Sequence, residues 1–251
     1  MSLPKRISAA ELPVATEISP GITVGLIVDG WAEDLIDCVT RYLNFTSAKI
    51  LLLDIASDNS SDAAHELMIA NPDRVKVIRV DRLGWSKAVI ALLKAADTEL
   101  VAISDISSLL EGDALASLNL LIQSNEDVAA VGWRGVNIDL ASNWFESKPA
   151  VGEVDQLLGY LMLVKRDIAL SVPPHKDARF YRNADLEWSL ALRDAGYRLL
   201  TPADELPIIQ GRHHGYHDTD PDYRDAESSK NYGRLLKRFR GKTEILAPRG
   251  S

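Results

Sequence analysis

Apolar positions along this chain gather into short continuous runs, and each run is followed by a stretch with helical spacing. Ile22–Val28 (ITVGLIV) is β-branched and unbroken, which predicts a strand covered on both faces. EDLIDCVTRYL then sets Leu35, Cys38, Val39 and Leu43 on one side of a helix. The exchange repeats: KILLLD (Lys49–Asp54) precedes SDAAHELMIA (Ser61–Ala70), and VKVIRV (Val75–Val80) precedes SKAVIALLKAA (Ser86–Ala96). ELVAIS (Glu99–Ser104) precedes DALASLNLLIQ. Such alternation predicts an α/β fold with a mostly parallel sheet flanked by helices.

Beyond about residue 125 the rhythm loosens. VAAVGWRGV and GYLMLVK (Gly159–Lys165) read as strands with irregular connections, which predicts a mixed second half. FYRNADLEWSLALRDAGYRL (Phe180–Leu199) reads as a helix capped by Asn183, with Asp185 in its first turn and Gly196 closing it. The expected organisation is an extended arm over residues 1–20 and one domain over 21–242, split at 125. Residues 243–251 are expected to be a flexible tail.

Composition narrows the function classes. A net charge of −8 argues against a general nucleic-acid binder, which needs a basic face. No apolar run approaches the ~18 residues of a membrane span. The single cysteine, Cys38, excludes an intramolecular disulfide and agrees with a cytoplasmic location. KNYGRLLKRFRGK (Lys230–Lys242) is a basic amphipathic helix with Leu235, Leu236 and Phe239 on one side. Two readings fit it: a solvated face, or a patch for peripheral contact with the inner face of a membrane.

In a doubly wound sheet the ligand lies outside the carboxyl ends of the strands, so the residues there carry the chemistry. Neither GxGxxG nor GxxxxGK[ST] is present, which removes the dinucleotide fingerprint and the P-loop. The strand ends carry Asp29, Asp54 and Asp105 instead. A carboxylate in that position accepts hydrogen bonds from ribose or base, or holds a cation that bridges phosphates.

LDIASDNSSD (Leu53–Asp62), RLGWSKAVIALLKAA, SDIS (Ser104–Ser107), GYLMLVKRD (Gly159–Asp167), YRNADLEWSLALRDAGYRL and IIQGRHH (Ile208–His214) follow one another in a familiar order. In that order the chain resembles the inverting family 2 glycosyltransferases of the glycosyltransferase-A fold, over roughly residues 22–240. The resemblance implies transfer of a sugar from a nucleotide-diphosphate donor to a glycan or lipid-linked acceptor, as in polysaccharide synthesis. It places Asp54 on the nucleoside, and Gly84 in the loop before the helix that Trp85 and Lys87 begin. Ser104 and Asp105 fall on the DxD motif, whose second acid is here Ser107.

A divalent cation, Mg²⁺ or Mn²⁺, is implied, with Asp105, Ser107, His213 and His214 as candidate ligands. Lys87 or Arg212 is the alternative means of balancing diphosphate charge. Asp185 falls on the base of the family, with Glu187 as second candidate. Arg182 and Asn183 replace an acid pair; Asn183 and Trp188 are the acceptor-side candidates. Loss of those acids keeps a second reading open, a catalytically weakened nucleotide-sugar binder that supports a glycan-assembly partner. A nucleotidyltransferase on the same core is disfavoured, because the Gly-rich loop is missing.

Overall fold

The computed structural model describes residues 3–249. Its first half is β1 (Ser19–Val28), α1 (Ala32–Phe45), β2 (Lys49–Asp54), α2 (Ser60–Ala70), β3 (Val75–Arg79), α3 (Trp85–Ala95) and β4 (Thr98–Ser104). There follow β5 (Ser108–Leu110), α4 (Ala114–Gln123), β6 (Val128–Gly132), β7 (Gly135–Ile138), β8 (Ser147–Ala150), β9 (Gly152–Glu153) and β10 (Gln156–Leu157). The chain continues through β11 (Leu161–Lys165), α5 (Arg166–Ser171), α6 (Ala184–Asp194), β12 (Arg198–Thr201), β13 (Ile208–Gln210), α7 (His214–His217) and α8 (Pro221–Phe239).

Eight strands form the central sheet in the order β3-β2-β1-β4-β11-β6-β12-β9. The first four are mutually parallel, with Leu26 opposite Leu52 on one side and Ser104 on the other. β11 runs antiparallel between β4 and β6, which makes the second half mixed as its irregular pattern predicts. Alternate residues of the parallel strands feed two cores, as a period of two requires. Ile50 and Leu52 join Leu35, Val39 and Leu115 on one face. Leu51 and Leu53 join Val89, Leu92 and Trp188 on the other.

Both chain ends are tied into the fold. The arm is not free: β1 begins at Ser19, and Arg6 donates to Val80 O (2.8 Å) and Ala56 O (2.5 Å). Residues 243–249 are not a flexible tail. Ile245, Leu246 and Ala247 are buried, and the fully buried Asp155 accepts from Ala247 N (2.7 Å) and Arg249 Nη2 (2.6 Å). A buried carboxylate needs partners, and this segment supplies them. Residues 1, 2, 250 and 251 lie outside the described residues.

The basic C-terminal helix begins at Pro221, capped by Asp220, and most of its charge is spent inside the molecule. Arg234 and Arg238 grip Glu187 at 2.6 and 2.7 Å, and Lys230 and Lys242 pair with Glu227 and Asp194. Its apolar side, Leu235 and Phe239, packs on Leu190 of α6. The basic run therefore acts first as a clamp within the fold. Among the described residues no helix is long and apolar enough to cross a membrane.

Candidate active site

A cleft of about 610 Å³ opens at the carboxyl edge of β1, β2 and β4. Its remaining wall comes from the loop between α5 and α6 and from residues 213–223. Asp29, Gly84, Trp85, Lys87, Ser104 and Asp105 all line it. Parallel strands end on one side, so residues distant in sequence converge there.

Asp105 is held rigidly. Its Oδ1 accepts from Ser107 N (2.8 Å) and from the Ser107 hydroxyl, which itself accepts from Gln210 Nε2 (2.7 Å). The antiparallel pairing of β13 with β5 sets Gln210 opposite Ser108 and delivers His213 to the same place. His213 Nε2 lies 3.6 Å from Asp105 Oδ2, with the ring stacked on Tyr181 (4.7 Å) and edge-on to Tyr160 (5.7 Å). Ser107, expected as a ligand, instead spends its hydroxyl positioning Asp105. His214 is not part of this group. It stacks on Trp31 and lies between Asp34 (3.1 Å) and Asp218 (2.5 Å), because the turn into α7 swings it toward α1. Arg212 is likewise bound to Asp218 (2.7 Å).

Among the described residues no group of three His, Cys, Asp or Glu side chains is placed to hold a metal. The donor set that is present, Asp105 Oδ2 with His213 Nε2, fits a hard dication that takes its other oxygens from phosphates and water. His213 Nδ1, on the far side of the ring from Nε2, is buried with no hydrogen-bond partner.

The other strand-end acids divide. Asp29 lines the cleft and pairs with both Arg82 guanidinium nitrogens (2.8 and 2.7 Å); burial raises its pKa against the opposing Arg82 charge. Asp54 is only 1 % exposed and is absent from the cleft wall. Its Oδ1 accepts from Ala56 N and Ser61 Oγ, both at 2.9 Å, and Arg79 Nε sits 3.2 Å from Oδ2. Asp54 thus builds the turn into α2, one turn back from the cleft wall where the resemblance expects it at the nucleoside. Ser104 reaches the cleft, but its hydroxyl pairs inward with Tyr42 (2.9 Å).

Asp185 lies in the first turn of α6, behind Gly159 and outside the cleft lining. Its Oδ2 accepts from Gly159 N (2.8 Å) and its Oδ1 from Leu186 N (2.9 Å). A Cβ on Gly159 would lie 3.2 Å from Asp185 Oδ2, so glycine lets the main chain approach the acid. Burial dominates these hydrogen bonds and pushes the carboxyl up to about 6. Tyr181 lies within the influence of both acids: burial first, then the charges of Asp105 and Asp185, raise its phenol pKa.

Three neighbours at the start of this helix make their side-chain contacts within the fold. Glu187 is 1 % exposed and is consumed by Arg234 and Arg238. Trp188 is buried, donates to Val172 O (2.7 Å) and meets Trp85 edge-on at 6.4 Å. Asn183 occupies the cap position with φ 64°, makes no side-chain cap and donates to Ser228 O of α8 (3.2 Å). The left-handed backbone turns its amide away from the first turn.

Lys176 and Arg179 also line the cleft, and the sequence pattern did not single them out. The available signal was weak: PPHKDARFY places two cations in a proline-led connection just before the Asp185 helix. Trp31, held at φ 57°, is a further unforeseen wall residue.

The pattern of the family described as Glycosyl transferase family 2 matches residues 31–188. No curated protein matches the sequence. Among solved structures, the mannosyltransferase PcManGT from Pyrobaculum calidifontis, in complex with GDP-Man and Mn²⁺, superposes with TM-score 0.68 at 18% identity. That likeness covers 94% of this chain and 71% of the other. GalNAc-T7 with UDP, GalNAc and Mn²⁺ gives TM-score 0.69 at 16% identity, over 86% of this chain and 48% of that one. At these identities the structural likeness speaks for the fold, which is the glycosyltransferase-A arrangement of a mostly parallel sheet with flanking helices. The sequence match spans more than half the chain and includes the Asp105 turn, the cleft-lining residues within 82–88 and 176–181 and the start of the Asp185 helix: the chain belongs to glycosyl transferase family 2.

Proposed function

We propose that this protein transfers a sugar, of the hexosyl class, from a nucleotide-diphosphate donor to an acceptor hydroxyl with inversion. The observation that carries this reading is Asp105 on the wall of the strand-end cleft with His213 Nε2 3.6 Å from its Oδ2. In a single displacement the acceptor oxygen forms a bond to the anomeric carbon while the bond from that carbon to the diphosphate oxygen breaks. The nucleoside diphosphate leaves with the bonding electrons, and Asp185 takes the acceptor proton. A carboxylate lifted to about 6 is well matched to that task near neutral pH.

Asp105 and His213 would hold a divalent cation; bound there, it would stabilise the charge that develops on the leaving diphosphate. Both structural neighbours carry Mn²⁺ with a nucleotide or nucleotide sugar, which supports the donor class. Trp85 and the Asp29–Arg82 pair are suited to the nucleoside end. A glycan or lipid-linked acceptor in polysaccharide synthesis is the corresponding acceptor class.

One feature favours a second reading, a nucleotide-sugar binder with little transfer. Asp185 stands behind Gly159 and not in the cleft wall. Thermal-shift screening of nucleotide sugars with and without Mn²⁺, followed by product analysis on each binder, separates the two. Asp185→Asn should lower transfer by about 10² to 10⁴-fold while donor binding is kept. Binding without any product supports the second reading; no donor binding at all defeats both.

A further inference from the structure

The N-terminus of α3 faces the cleft, where a parallel-sheet protein commonly seats an anionic ligand. Here that seat is filled by the chain itself. Trp85 N donates to Arg179 O and Ser86 N to Ala178 O, both at 2.9 Å, and Ser86 Oγ donates to Pro174 O (3.0 Å). Gly84 permits the contact, since a Cβ there would stand 3.1 Å from Arg179 Cα. The first two helix N–H groups are thus spent on carbonyls, which leaves a diphosphate to be held mainly by side chains.

The same connection that fills the seat brings its own charge. Lys176 and Arg179 project from it into the cleft lining, and Lys87 joins them from the first turn of α3. All three are exposed, and among the described residues none forms an ion pair or a side-chain hydrogen bond. Arg82, the remaining cation of the lining, is already committed to Asp29. Against them, outside the Asp29–Arg82 pair, the lining sets the acids Asp105 and Asp177, so in a chain of net charge −8 the cleft still carries a local excess of positive charge. Asp105 is itself the single acid left in a motif that ordinarily supplies two.

Building on the nucleotide-sugar reading above, we infer that Lys87, Lys176 and Arg179 form the diphosphate seat. They act as positioning and charge-balancing residues that bind the donor's diphosphate even without a divalent cation. The main-chain cap on α3 uses only carbonyls of residues 178 and 179. Truncating the two loop side chains therefore leaves the cap in place.

The test is calorimetric titration of UDP and GDP, with uridine and guanosine as controls, first in EDTA and then in Mn²⁺. The wild type should bind one of the diphosphates in EDTA at least about tenfold more tightly than its nucleoside, because each charge-assisted contact to phosphate is a strong one. The Lys176→Ala/Arg179→Ala double variant should lose about ten- to a hundredfold of that affinity while nucleoside binding holds. Lys176→Arg/Arg179→Lys should restore it, which a merely structural role would not produce. Lys87→Ala, titrated alone, should lose affinity in the same selective way. Equal diphosphate affinity in wild type and double-alanine variant overturns the inference. So does a wild type that prefers diphosphate over nucleoside only when Mn²⁺ is present. A wild type that binds no nucleotide in either medium overturns the nucleotide-sugar reading itself.

Discussion

Asp185 accepts two main-chain hydrogen bonds that favour its charged form, yet burial outweighs them and sets its pKa at about 6. The acid test of its role lies in pH. A base works only when deprotonated, so transfer should rise as pH passes through about 6 and level off above. The stability effect has the opposite sign. The folded value lies above the ordinary 3.8, so between the two the native state holds a proton that the unfolded chain has lost. That stabilisation is full below about 3.8 and is lost as pH rises through about 6, an effect of about 3 kcal/mol. Asp185→Asn cannot ionise and escapes the loss. Its denaturant midpoint should therefore gain on the wild type as pH climbs from about 4 to about 6, then run parallel. A difference flat across that range would show that burial does not set this group's charge. At the metal side, Ser107→Ala frees Asp105 from its brace and should weaken Mn²⁺ binding by about tenfold, read by titration calorimetry.

Helix α6 shows why two acids two residues apart have different fates. Each helical residue advances about 100°, so Asp185 and Glu187 point to opposite sides. Asp185 turns to the sheet and Gly159; Glu187 turns to α8 and two arginines. Glu187→Ala should cost about 2–3 kcal/mol, less than a wholly buried pair because Arg238 keeps some solvent contact. The loss is measured by urea unfolding, with activity per folded molecule unchanged. A drop in turnover without a drop in stability would return Glu187 to the site.

Legibility followed the same division between elements and side-chain directions. The alternation of runs was enough to read the parallel half, and it fixed which edge holds Asp29 and Asp105. It could not show that Asp54 would bend back into its own turn, since that depends on Ser61 and Ala56 closing over it. Nor could it place Lys176 and Arg179, whose position depends on a loop crossing a helix about 90 residues earlier in the chain. The separation of His213 from His214 escaped it for a similar reason: adjacent residues leave a turn in different directions.

At the scale of the molecule, the second half is fastened by its last described segment. Asp155 is fully buried and takes hydrogen bonds from Ile138 N (2.7 Å), Ala247 N and Arg249. The largely buried Arg193 reaches Ile245 O from the other side. Truncation after Lys242 strips Asp155 of its cation and should cost at least about 3 kcal/mol, with urea unfolding as the measure. An unchanged midpoint would reduce the segment to surface packing.

This fastening has a consequence for how the protein is made. The partners of β1 to β4 on the first edge are all in place once residue 104 has been synthesised, whereas Asp155 waits 94 residues for Arg249. Synthesis proceeds from the N-terminus at about 5–20 residues per second, so the parallel strands have several seconds to settle before the second half gains its final ion pair. During that interval a nascent chain carries a paired parallel edge beside a second half whose buried acid still lacks its cation, and the cleft stays unfinished until Lys176, Arg179 and His213 have been made.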